Sequence, residues 1–273
     1  MPRLGQHFLK KTSATNTIVN ALNLKTGETV IEIGPGTGVL TWPLLKRCNE
    51  VQSRLIVIER DPKLADELAE KNSNLNLIRG DALKVIPQIL KNHNKEVGQM
   101  PGSRANFKVV GNIPYYITGA LLRMLGELNE PPIQIVIMIQ KEVAERLVAK
   151  PPRMNLLAAA TGYWAESQIL ETLAPEDFSP PPKVSSAIVS LRSKPQKTTA
   201  EREAYYRFIK AIFRQPRKTI LNNLKSAYGQ KKEEAIKEVL LSQGLSGLER
   251  PQNISLEILT ALSTCVAHMR IIE

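Results

Sequence analysis

In the stretch GNIPYYIT, residues 111–118, an apolar run ending at Val110 gives way to an amide, a proline and two tyrosines. Asn112 offers a side-chain carbonyl. The main-chain carbonyl of Ile113 is held by Pro114, because a proline biases the residue before it to extended backbone. Two acceptors side by side suit a substrate amine that carries two hydrogens. Tyr115 adds a flat face on which a base can stack, a contact worth roughly 1–3 kcal/mol. A Pro-Tyr turn packed against a neighbouring helix is the plainer alternative.

A second cluster lies upstream. In VIEIGPGTGVLT, residues 30–41, Gly34, Gly36 and Gly38 follow an apolar run and open a helix-length segment. Glycines there let the backbone turn tightly and approach a ligand at a helix N-terminus. Glu59, 21 residues after Gly38, ends the next apolar run, placed to accept hydrogen bonds from both ribose hydroxyls of a nucleoside. Asp81, in RGDAL, can accept from the amino group of an adenine ring. The glycine loop with Glu59 alone fits a dinucleotide fold as well, and an exposed loop Asp would look the same as Asp81.

These residues need a scaffold that brings them to one edge. The runs TVIEIG, RLIVIE, LNLIRG, FKVVGN and IQIVIMIQ are near-continuous apolar strands separated by helix-length amphipathic segments, the pattern of a parallel sheet covered on both faces. Each candidate side chain then falls at a strand's carboxyl end, where open α/β sheets bind ligands. SQILETLA and SSAIVSLRS, joined through PEDFSPPPKV, add a closing antiparallel hairpin. From Glu201 the period is helical, with Tyr205, Phe208, Ile209, Ile212 and Phe213 on one face. SKPQKTT, from Ser193 to Thr199, reads as a linker, so the domains expected are 1–193, an α/β Rossmann-like domain, and 194–273, a small all-α domain. Residues 91–106, KNHNKEVGQMPGSRAN, read as a mobile surface loop with no assigned function.

Composition narrows the classes. No apolar stretch reaches the roughly 20 residues of a membrane span, and MPRLGQHFLKK has no apolar signal core, so a cytoplasmic protein is expected. Cys48 and Cys265 are far apart, and His7, His93 and His268 are scattered; no metal site or disulfide framework is expected, and the chemistry falls to an organic cofactor. The formal net charge is +11, and residues 194–273 carry 14 Lys/Arg against 8 Asp/Glu. That excess points to a polyanionic partner.

Taken in order, GQHFL (5–9), EIGPGTGVLT (32–41), Glu59, GDAL (80–83), GNIPYYIT, FSPPPKVSSAIVSL (178–191) and FRQPRKTILNNL (213–224) resemble the KsgA-type ribosomal RNA adenine dimethyltransferases, within the class I S-adenosylmethionine-dependent enzymes. The resemblance covers nearly the whole chain. It implies S-adenosyl-L-methionine as cofactor, with His7 and Leu9 at its methionine end, Gly34 and Gly36 beneath it, Glu59 on the ribose, Asp81 on the adenine and Asn112 between cofactor and substrate. Some family members carry Asn where this chain has His7; a neutral imidazole can make a similar polar contact. The stretch after Leu9, KKTSATN, lacks the acidic residue often found there.

The resemblance also implies the substrate: the exocyclic N6 of two adjacent adenosines near the 3′ end of small-subunit (16S) rRNA, within an assembling ribosomal subunit. A target base must leave its stack to enter such a pocket. Tyr115 and Phe178 would then sandwich it, beside Asn112, Ile113 and Pro114, with Phe178 as an ordinary core residue the plainer alternative. Arg214, Arg217 and Lys218, around Pro216, are the candidate phosphate contacts, against the plainer reading of a solvated charge cluster. The chain is expected to act as a monomer. Other classes are a non-catalytic RNA-binding or assembly factor on the same fold, a large-subunit (23S) rRNA methyltransferase and an NAD-dependent oxidoreductase.

Overall fold

The structure is a computed structural model that describes residues 7–96, 107–195 and 197–269. The chain divides into two units, one of residues up to Glu145 with Glu166–Ser193, the other of Arg146–Ala165 with the chain from Lys194 on.

The first unit alternates strand and helix. β1 (Phe8–Leu9) and α1 (Thr12–Leu22) lead to β2 (Thr29–Ile33), α2 (Thr41–Glu50), β3 (Arg54–Glu59), α3 (Pro62–Lys71), β4 (Leu77–Arg79), α4 (Ala82–Glu96), β5 (Phe107–Asn112), α5 (Thr118–Glu127) and β6 (Gln134–Gln140). After α6 (Lys141–Leu147) and α7 (Leu156–Trp164) come β7 (Ala165–Leu173), β8 (Phe178–Ser179) and β9 (Ser186–Ser193). Seven strands form one sheet in the order β4-β3-β2-β5-β6-β9-β7. From β4 to β6 all pairs are parallel, and β9 runs antiparallel to β6. All five residues of β2 are buried, as expected of a strand covered on both faces. The two later runs do close the sheet, and β9, the second of them, is the one that inserts beside β6.

One expectation is corrected. Residues 91–96, expected in a loop, continue α4 to Glu96. KNHNKE contains neither glycine nor proline, so the helix that passes Pro87 meets no further breaker up to Glu96. The rest of that expected loop, 97–106, lies outside the described residues, as do Gly5 and Gln6 of GQHFL.

Two buried groups fix the sheet beneath the site. Lys108 of β5 is buried with Glu28, its Nζ 2.6 Å from Oε2, and donates to the carbonyls of Leu22 and Asn23 at 2.9 and 3.1 Å. A cation is thus set on the C-terminal carbonyls of α1, where the helix dipole favours it. Gly111 lies where β5 passes β2, and a Cβ there would overlap the main-chain oxygen of Ile33. Gly111→Ala is therefore expected to lower stability by about 2–3 kcal/mol, since backbone cannot swing aside as a side chain does. Urea unfolding measures this, and a loss below about 0.5 kcal/mol would refute the close approach as the reason for glycine.

The second unit has its own core. α8 (Thr199–Ile212), α9 (Ile220–Tyr228), α10 (Glu233–Ser242) and α11 (Leu256–Met269) bury Tyr205, Phe208, Ile209, Ile212, Phe213, Ile220, Leu224, Ile236, Leu259 and Leu262. Thr198 opens α8 with a capping box, accepting from the main-chain N–H of Glu201 while the Glu201 carboxylate accepts from the N–H of Thr198. The boundary read near residue 193 marks only one of the crossings, because α7 also belongs to this core. Its Ala158 and Ala159 are buried there, Tyr163 stacks on Tyr205 with centroids 4.1 Å apart, and the Tyr205 hydroxyl donates to the Ala159 carbonyl at 2.9 Å. Small residues in LLAAATGYW let the neighbouring helix approach this closely.

Candidate active site

The carboxyl ends of β2, β3, β4 and β5 lie in register along one edge. There the strand order reverses, with β3 and β4 on one side of β2 and β5 and β6 on the other. A cavity of about 370 Å³ opens at this switch point, lined by His7, Leu9, Gly34, Gly36, Glu59, Asp81, Asn112, Ile113, Pro114 and Phe178 among others. Residues spread over 172 positions of sequence thus share one space because the sheet aligns their strand ends.

The glycine loop is shaped by its neighbours. Gly36 adopts φ of +60°, and a Cβ there would press on the Phe8 ring at 2.9 Å. Its N–H donates to Glu59 Oε2 at 3.3 Å, while Glu59 Oε1 accepts from the N–H of Asp61 at 2.8 Å. Burial pushes the Glu59 carboxyl up, and these backbone donors pull against that rise. With Arg60 as a third backbone donor, the about four lone-pair sites of the carboxylate still leave room for a further donor. Asp81 caps α4, its Oδ1 accepting from the Leu83 N–H at 3.0 Å, which leaves Oδ2 for a ligand. The alternative of an exposed loop Asp without a partner is replaced by a capping Asp on the cavity wall.

Asn112 is oriented from the N-terminal segment. Its Nδ2 donates to the main-chain carbonyl of His7 at 3.0 Å, so its Oδ1 is the acceptor left to the cavity. The His7 ring donates from Nδ1 to the Pro180 carbonyl at 2.8 Å. β1 pairs antiparallel with β8, Leu9 opposite Phe178, and the Lys10 N–H donates to the Asp177 carbonyl at 2.8 Å. Lys11 adds an ion pair to Glu171 at 3.0 Å. Residues 7–11 are therefore strapped across the strand ends to the segment that carries Phe178.

Phe178 is 1% exposed, sits in the main core with Leu9, and forms part of the cavity wall. Tyr115 opens a short 3-10 turn, but its side chain lies outside what is described. Arg214, Arg217 and Lys218 are exposed between α8 and α9. Asn223, itself buried, holds this junction by donating to the carbonyls of Gln215, Lys218 and Thr219. Among the described residues no cluster of three or more His, Cys, Asp or Glu is placed to hold a metal, and no helix is long and apolar enough to cross a membrane.

Glu32 is the residue that the motif reading passed over. It is the fourth residue of β2, next to the strand's carboxyl end, and lines the cavity, and its buried Oε2 has no hydrogen-bond partner among the described residues. Burial pushes its carboxyl up to about 8; the adjacent Thr41 hydroxyl, itself buried and short of a bonded geometry, pulls against that rise and the Glu59 carboxylate adds to it. A carboxylate within an otherwise apolar strand was the signal, hidden by the glycines that follow it. An unpaired buried carboxyl oxygen, a glycine-lined loop and the Glu59 carboxylate at the cavity wall fit a ligand with an adenosine end and a cationic end, as S-adenosyl-L-methionine has.

Fold and site together define a class I methyltransferase of Rossmann-like architecture. Residues 1–260 match the ribosomal RNA adenine dimethylase family, and the chain belongs to that family. It is 38% identical over 260 residues to ribosomal RNA small subunit methyltransferase A of Dehalococcoides mccartyi, covering 93% of this chain and 84% of the relative. The Koribacter versatilis protein of the same name is 37% identical over 265 residues, covering 93% and 90%. Among solved structures, the 23S rRNA methyltransferase ErmE superposes with a TM-score of 0.71 at 26% identity, over 95% of this chain and 99% of that one. A dimethyladenosine transferase from Plasmodium falciparum shares the fold, with a TM-score of 0.71 at 24% identity over 94% and 96%.

Proposed function

We propose that the protein transfers methyl groups from S-adenosyl-L-methionine to the exocyclic N6 of adenosines in small-subunit (16S) rRNA, dimethylating two adjacent adenosines near the 3′ end within an assembling subunit in the cytoplasm. The observation that carries this reading is that one cavity is lined both by Gly34, Glu59 and Asp81, the proposed nucleoside contacts, and by Asn112 and Ile113, the proposed acceptors for the amine. The curated relatives are named for the small subunit, which favours that substrate over the large one.

The cofactor supplies an electrophilic methyl group. The work of the chain is to hold and aim. Glu59 would accept from the ribose hydroxyls, Asp81 from the adenine amine, and Glu32 would answer the cationic methionine end. The exocyclic nitrogen of adenine is a poor nucleophile because its lone pair is delocalised into the ring. Hydrogen bonds from that amine to Asn112 Oδ1 and the Ile113 carbonyl would favour a pyramidal nitrogen with its lone pair free for an in-line displacement. In that displacement the N–C bond would form as the sulfonium S–C bond broke, and the amine proton, acidified by the new positive charge, would pass from these acceptors to water. Positioning and electrostatics carry such a step, and no strong base is required.

Incubation with labelled cofactor, followed by mass spectrometry of small- and large-subunit rRNA, tests the proposal. Dimethyladenosine in small-subunit rRNA is expected. Label confined to the large subunit would move the enzyme to the other substrate, and no label in either would overturn the activity.

The second unit is proposed to recognise the RNA. Arg217 and Lys218 are exposed on a junction that Asn223 keeps rigid, and phosphate contacts by exposed cations release counterions. Replacing both with Ala should reduce the slope of log affinity against log salt by about 1–2, with cofactor affinity unchanged. An unaltered slope on assembled small subunits would return these residues to ordinary surface charge.

A further inference from the structure

In the first unit the exposed large apolar side chains among the described residues are Val39, Tyr116 and Val184, at 39%, 60% and 45% exposure. All three lie at one edge. Val39 follows β2, Tyr116 follows β5, and Val184 precedes β9, whose Ser186 pairs with Gln140 at the carboxyl end of β6. Val39 and Tyr116 also line the cavity. Apolar exposure gathered at the sheet edge that carries the cavity, two of the three residues lining it, points to a surface that a partner covers.

Tyr116 is the most exposed of the three and the only aromatic. Its backbone is fixed, because the Ile117 N–H donates to the Pro114 carbonyl at 3.1 Å and α5 begins at the next residue, Thr118. A rigid, exposed aromatic at the entrance to an adenosine-sized cavity has the character of a stacking platform. Its place on the rim separates it from the buried wall that Phe178 helps to form.

We propose that Tyr116 stacks on the nucleotide beside the one whose amine occupies the cavity, holding the RNA strand in register at the entrance. This rests on the proposed action on RNA adenosines. Once the target base has left its stack, the neighbouring base has lost a stacking partner. Tyr116 replaces that partner. Every base has a π-face, so this subsite sets affinity and register and reads no sequence.

The test uses the full chain on assembled small subunits that lack the modification, comparing Tyr116→Ala, Tyr116→Phe and Tyr116→Leu. KM for the subunit should rise about tenfold in the Ala variant, the effect of losing one base stack. Tyr116→Phe should stay within about twofold of wild type, and Tyr116→Leu should behave like Ala, since bulk without a π-face does not stack. Cofactor affinity by calorimetry should be unchanged in all three. A wild-type KM in the Ala variant, full rescue by Leu, or an equal loss of cofactor affinity would each overturn the subsite while leaving the enzyme's activity intact. If the wild-type chain methylates neither subunit, the functional reading itself fails and the subsite falls with it. Tyr116→Trp supplies a direct readout: its fluorescence should be quenched by a short adenosine-rich single-stranded RNA beyond the response of wild type, and equal responses would overturn the stack.

Discussion

Replacing Asn112 with Ala is expected to lower the rate of methyl transfer by about 10²–10³-fold at saturating cofactor, the range seen when one preorganised polar group is removed from a reacting centre. The geometry gives the reason for so large an effect. Asn112 Nδ2 is committed to the His7 carbonyl, so Oδ1 faces the cavity without a rotamer search when the amine arrives. Asn112→Asp tests the same point from the other side. A carboxylate has no N–H for the His7 carbonyl, and the two oxygens would repel, so a better acceptor should still be a poorer catalyst. Affinity for RNA should hardly change in either variant, which single-turnover rates set against filter binding would reveal. Near wild-type turnover in Asn112→Ala would remove this residue from the chemistry.

Much of this site is legible in the sequence because its chemistry sits at strand ends. A parallel strand announces itself by a continuous apolar run, and the residue that terminates the run is placed at the sheet edge by the strand alone. Glu59, Asp81 and Asn112 are found this way, and all three line the cavity. What escapes is whatever depends on partners distant in sequence. β1 and β8 are two residues each, too short for any period, and they pair across 169 positions. The strap they form shows that His7 acts through its main-chain carbonyl as well as through its ring, which no comparison of side-chain types would reveal. α7 was unreadable for a related reason: its alanines suit any helix, and only the stacked Tyr163 and Tyr205 show which core it joins. Exposure is equally silent, so nothing in GNIPYYIT says that the Tyr116 ring is exposed.

Glu32 links fold stability to the vacant acceptor that the ligand would fill. Its carboxyl is raised to about 8, first by burial, against about 4.5 in the unfolded chain. Between those values the folded protein keeps a proton that the unfolded chain has released. Stability from this group is therefore fully present below about pH 4.5 and is lost as pH rises through about 8. Glu32→Gln is neutral at every pH and escapes that loss. The variant should match wild type near pH 4.5 and exceed it by about 3–5 kcal/mol above pH 8, following the conversion of roughly 1.4 kcal/mol per pH unit. Urea unfolding at pH 5 and pH 8.5 measures the divergence, and an equal increment at both values would show that the gain has another source. Binding should show the opposite preference. A cationic ligand draws the carboxylate into its charged form, so cofactor binding to wild type at pH 6.5 should release a proton, detected by calorimetry in two buffers of different ionisation enthalpy. Glu32→Gln should release none and bind more weakly. A more stable protein with a poorer site is the expected signature of a buried charge kept for its ligand.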